Sequence, residues 1–192
     1  MRALSLLIVS GLALTLTAPA PAQAQELNRG TQRLELLGAA APACVAGSAR
    51  AGQQINATYQ DGGPSSGSVV IPILVDPTTA ATQGSSIQLN LPVVCNTSHT
   101  ISVRSYNGGL LRDGSTGNQG SGGFSQFQGY DVLVAWQNAT ARIGGNGSSA
   151  ALAYGQPAKG DLVLDIAIPK GTQPLVAGTY RDAVVVEIRP SN

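Results

Sequence analysis

Short runs in which apolar and polar residues strictly alternate recur along this chain, separated by glycine, proline and asparagine. Ile87-Gln88-Leu89-Asn90-Leu91 is the clearest, and Leu162, Leu164, Ile166 and Ile168 repeat the pattern. Tyr130, Val132, Val134 and Trp136 do so again, as do Val184, Val186 and Ile188. Alternation with period two puts every second side chain on one face, which is the signature of a half-buried strand. Further strand signals lie at residues 34–36, 69–75, 100–106 and 180–188, with Pro72 pointing to an edge or a bulge in the second of these. No stretch after the N-terminal segment carries helical periodicity. Several short strands punctuated by turn residues predict an all-β sandwich or barrel. Residues 107–129 and 144–149, rich in Gly, Ser, Asn and Gln, are expected to be flexible loops, the first with one short strand at most near residues 124–127.

The N-terminus indicates export. Arg2 precedes an apolar run from Leu4 to Thr17, and Ala22-Gln23-Ala24 supplies small residues at the positions a signal peptidase reads, so cleavage is expected after Ala24. A transmembrane anchor is the alternative, but the run is short for roughly 30 Å of hydrocarbon. Removing residues 1–24 from 192 leaves 168, one ordinary domain. Eleven Lys and Arg against ten Asp and Glu leave no electrostatic footprint for nucleic acid and no polybasic membrane patch. In an exported chain the two cysteines, Cys44 and Cys95, read as a disulfide closing 51 positions, with two free buried thiols as the alternative.

Catalytic chemistry finds little support. His99 is the only histidine, Ser98 beside it lacks a nucleophile-elbow context, and the ordinary reading of His99 is a polar residue at a turn. One histidine and two disulfide-committed cysteines do not make a zinc site. Asp113 to Asn118 offers oxygen donors but lacks the second carboxylate and bidentate Glu of a calcium loop. No strand–glycine–helix context supports a phosphate cradle. Asn56, Asn96, Asn138 and Asn146 stand in Asn-x-Ser/Thr sequons, which matter only in a eukaryotic host. The expectation is no enzyme, no cofactor and no metal.

Three segments together resemble a known family. Leu34-Glu35-Leu36-Leu37-Gly38 leading to Ala41-Pro42-Ala43-Cys44 resembles the start of mature chaperone–usher pilins. Residues 87–95, followed by Ser105-Tyr106-Asn107-Gly108-Gly109-Leu110, are similar to the second-cysteine strand and turn of the spore coat U domain family, which includes archaic pilus subunits. Residues 164–169 and 177–188 are similar to that family's C-terminal strand pair. The resemblance implies an immunoglobulin-like β-sandwich that is incomplete, lacking its last strand. The sequence runs only to Pro190-Ser191-Asn192 after the last strand signal, which accords with that expectation. The missing strand would come from another chain, first a periplasmic chaperone and then the leader of the next subunit, after delivery to an outer-membrane usher.

On that reading residues 1–24 are the signal peptide, 25–37 a leader and candidate donor strand, and 38–192 the pilin-like domain. Cys44 and Cys95 match the family's disulfide. Leu27, Leu34 and Leu36 are the candidate donor residues, although the intervening Asn28 to Arg33 is polar. Val184, Val186 and Ile188 are the candidate acceptor-groove residues. The function implied is a structural subunit of a surface fimbria, working in adhesion or biofilm, passing through the periplasm to the cell surface, with copies of itself or related subunits as neighbours. The alternative is a secreted adhesion or glycan-binding sandwich complete on its own, using the 107–129 loop and the aromatic rings of Tyr106, Tyr130 and Trp136.

Overall fold

The computed structural model describes residues 33–144 and 149–191. The signal segment, Leu27, the sequon at Asn146 and most of the expected loop at 144–149 lie outside the described residues. The chain divides into two units after Ala39, and residues 33–39 carry no strand.

From residue 40 onward the described chain is all β, without a helix. In order the strands are β1 (Cys44–Ala46), β2 (Arg50–Ile55), β3 (Thr58–Asp61), β4 (Gly67–Val70), β5 (Ser85–Cys95), β6 (His99–Ser105) and β7 (Gly109–Arg112). They continue as β8 (Phe127–Gly129), β9 (Asp131–Trp136), β10 (Ala139–Ile143), β11 (Ser149–Tyr154), β12 (Ala158–Ile168), β13 (Tyr180–Arg181) and β14 (Val184–Pro190).

Two antiparallel layers hold the core. The larger runs β1–β5–β12–β9–β10, and β2 shares the β1 edge of β5 further along that strand. The smaller runs β11–β6–β14. Period-two alternation decides what each strand buries. Ile87, Leu89 and Val93 of β5, Val132, Val134 and Trp136 of β9, and Leu162 and Leu164 of β12 point inward. Ile101 and Val103 of β6 and Leu152 of β11 face them. Burying each such side chain stabilises the fold by roughly 2 kcal/mol. Two small sheets, β13–β7–β8 and β3–β4, flank the layers.

The fold differs from the sequence expectation in places that have physical causes. The signal at 34–36 forms no strand, because alternation creates a strand only where a partner edge accepts its backbone. The run at 69–75 leaves the ladder after Val70. Pro72 has no N–H to give, and Asn56 takes over the backbone of Ile73, its Nδ2 donating to the Ile73 carbonyl at 2.6 Å and its Oδ1 accepting from the Ile73 N–H at 3.3 Å. Residues 107–129 are not one loop, since β7 and β8 pair there and β13 joins them. Gly109 permits this pairing: a Cβ on it would stand 2.4 Å from the ring of Phe127. The single strand expected at 180–188 is broken at Asp182-Ala183 into β13 and β14.

Candidate functional site: an apolar cleft along the last strand

β14 is an edge strand. One side pairs with β6, from Val184 opposite Ser105 to Pro190 opposite His99. Among the described residues no strand pairs with its other side. Its burial alternates in phase: Val184, Val186 and Ile188 are half-buried, while Val185, Glu187 and Arg189 are exposed. The first three line a cleft of about 660 Å³ that runs between the two layers. Leu89 and Leu91 of β5, Leu164, Ile166 and Ile168 of β12, and Ala46, Gly47 and Ala49 also line it.

The β3–β4 hairpin contributes Tyr59 and Val69 to the lining, and nearby Ile71 joins them. Among the described residues no ladder joins this hairpin to a larger sheet. Asn56 holds it at the base. This residue sits at φ 47°, and besides its bonds to Ile73 its Nδ2 donates to Ser85 Oγ at 2.8 Å.

A polar knot closes one end of the cleft. Tyr130 OH donates to Asp182 Oδ2 at 2.5 Å, and Ser105 Oγ donates to the same oxygen. The backbone N–H groups of Asn107 and Ala183 both donate to Asp182 Oδ1 at 2.8 Å. Four donors thus converge on one carboxylate and pull the chain out of the ladder at the start of β14. Burial, and next the hydrogen bond to Asp182, push the Tyr130 phenol well above its ordinary value of 10.0. No cation pairs with Asp182 among the described residues; neighbouring Arg181 reaches Asp113 instead, at 3.1 Å.

The other residues singled out in the sequence fall as follows. Cys44 and Cys95 are joined in a disulfide that ties β1 to the end of β5. His99 lies within 4.8 Å of both sulfurs, yet each sulfur is committed to the other. The turn reading of His99 is incorrect. The ring is buried as the first residue of β6, where Trp136 Nε1 donates to its Nε2 at 2.9 Å and the ring's Nδ1 bonds the Thr97 carbonyl at 2.9 Å. Leu34 and Leu36 lie in the unit before Ala40, where they form no strand and are exposed. Of the three aromatic rings considered for sugar stacking, Tyr130 and Trp136 are buried and only Tyr106 is exposed. Among the described residues no helix is long and apolar enough to cross a membrane.

Sequence reasoning missed the Asp182 knot and the Asn56 staple. An acidic residue directly before a β-branched run was the available hint for the first, as Asp and Asn favour turns that bind their own backbone. Compared with protein-family models and with curated proteins, the chain matches none.

Proposed function

We propose that this protein is a structural subunit of a bacterial surface fibre, exported to the periplasm and assembled through the chaperone–usher route by donation of a strand between subunits. The observation that carries this reading is the pairing of an open apolar cleft with an unpaired β14 edge. An exposed edge flanked by apolar surface is an aggregation hazard that a lone soluble domain is under pressure to cover. A strand laid along β14 would meet both needs: its backbone would pair with the edge, and its alternate side chains would fill the cleft. Head-to-tail donation does not close on itself, so repetition yields a filament. On this reading the protein is not an enzyme, and its partners are the chaperone, the usher and its own neighbours.

The test compares the mature chain, residues 25–192, with two variants. Val186→Asp places a charge in the cleft and should abolish filaments seen by electron microscopy and sedimentation. Gln119→Asp, remote from the cleft, should assemble as the parent does. Equal behaviour of the two variants would count against the cleft as the assembly site.

A further inference from the structure

Asn107 stands directly before Gly108, in the turn Tyr106-Asn107-Gly108 that carries the chain from β6 to β7. Such a pair is chemically reactive, because glycine has no side chain to hinder its own backbone nitrogen as it approaches the preceding side-chain amide. A fold suppresses the reaction by holding the two groups in place. Here both are loosely held. Among the described residues the Asn107 side chain makes one hydrogen bond, Nδ2 donating to the Arg181 carbonyl at 3.2 Å. Among the same residues no acceptor takes the Gly108 N–H. Gly108 sits at φ 73°, and a Cβ on it would meet nothing within 4 Å. Asn107 is itself exposed, so water reaches the turn.

Other amides and glycines are better guarded. Asn56 is held on both sides of its amide by Ile73 and again by Ser85, and Ala57 follows it. Asn96 Oδ1 accepts from the Ala43 N–H at 2.7 Å, its Nδ2 donates to the Ala41 carbonyl at 2.8 Å, and Thr97 follows it. After Asp61, the Gly62 N–H is committed to the Ser66 carbonyl at 3.1 Å.

We propose that Asn107 deamidates spontaneously through a succinimide with Gly108, and that the carboxylate so formed loosens the Asp182 knot. The Gly108 nitrogen gives its proton to hydroxide and bonds to Asn107 Cγ. The Cγ–Nδ2 bond breaks, and Nδ2 leaves as ammonia with a proton taken from water. Water then opens the ring at either carbonyl, giving aspartate or isoaspartate. The sum is one water consumed and one ammonia released, with no change in oxidation state. The knot feels the product because Asn107 is one of its donors, its backbone N–H reaching Asp182 Oδ1 at 2.8 Å. Deamidation removes the amide that bonds the Arg181 carbonyl and puts a negative charge on a residue that holds a carboxylate, where like charges repel. The isoaspartate form also adds a methylene to the main chain between β6 and β7. The reaction belongs to the single chain and does not depend on assembly into a fibre.

The mature chain, residues 25–192, is held folded at mildly alkaline pH for days, then unfolded, reduced and digested with trypsin. Cuts after Arg50, Arg104 and Arg112 separate residues 105–112 from residues 51–104, which carry Asn56, Asn90 and Asn96. The 105–112 peptide should give way to two acidic forms, aspartate and isoaspartate, while the 51–104 peptide stays unmodified. Its rate should lie within roughly tenfold of that in the same chain kept unfolded in urea, as a turn that opens at almost no cost requires. Slower conversion than that means the fold protects Asn107, and overturns the site. As a second arm, Asn107→Asp installs the charge of the product, whereas Asn107→Ala removes the amide bond alone. Asn107→Asp should have the lower urea midpoint, and molar salt should narrow the gap. Equal midpoints overturn the coupling to the knot.

Discussion

Tyr130 and Asp182 show how one carboxylate organises three segments of this fold. Tyr130 precedes β9, Ser105 ends β6, and Asp182 precedes β14, so their bonds tie both layers together at the end of the cleft. The raised phenol value has a consequence for pH. In the unfolded chain the ring ionises near its ordinary value of 10.0, while in the fold it stays neutral. Above that point the folded state binds more protons than the unfolded one, so stability is fully present below pH 10 and falls as pH rises. Tyr59 and Tyr180 shift in the same direction, with burial as the first cause. Urea midpoints should hold from neutral pH to about 9 and decline beyond. Tyr130→Phe should flatten that decline and cost about 2 kcal/mol at neutral pH, the loss of a bond to a charged acceptor. Trp136→Phe should cost a similar 2 to 3 kcal/mol or so by leaving buried His99 Nε2 without its donor and opening a void. None of this was legible beforehand. The lone histidine and the lone tryptophan stand 37 positions apart, and only the two-layer packing brings them together.

At the level of elements, legibility followed length and alternation. β5, β6, β9 and β12 each carry several inward apolar residues and were readable, because a one-residue slip would expose all of them. β2, with sequence RAGQQI, is exposed throughout and offered no pattern. β3, β10 and β11 are short and mix Ala, Thr or Gln with few large apolar residues, so pairing with neighbours decides their conformation more than their own sequence does. The disulfide was readable from an even cysteine count together with the export expected from residues 1–24. Replacing both cysteines by Ala should lower stability by up to about 4 kcal/mol in denaturant titrations, the loop-closure figure for this span. The hairpin β3–β4 depends instead on Asn56 at φ 47°. Asn56→Ala loses the staple and also strains the left-handed backbone. Asn56→Gly loses the staple alone, and so should be the milder variant by about 1 kcal/mol in the same titration.

For the molecule as a whole, the fold class was evident from the sequence and the cleft was evident in part. The inward phase of Val184, Val186 and Ile188 could be read, but the Asp182 knot that ends the strand could not. The unpaired β14 edge bears on a single measurement of stability. Consider residues 38–192 alone, and the same residues with 25–37 appended after Asn192 through a Gly/Ser linker long enough to turn back along β14. An antiparallel strand is what such a linker most readily delivers. Burying Leu34 and Leu36 contributes roughly 2 kcal/mol each, and the new main-chain bonds about 1 kcal/mol apiece. Ordering the segment offsets about half of that sum or more. A net gain of about 4 kcal/mol in a domain of this size raises the melting temperature by roughly 10 °C. The appended form should therefore be a monomer that melts near that margin above the shorter form, and Leu34→Asp in the appended strand should cancel the gain. Matching melts of two folded monomers would mean that the cleft needs no added strand, and attention would pass to exposed Tyr106 and a search for a bound sugar.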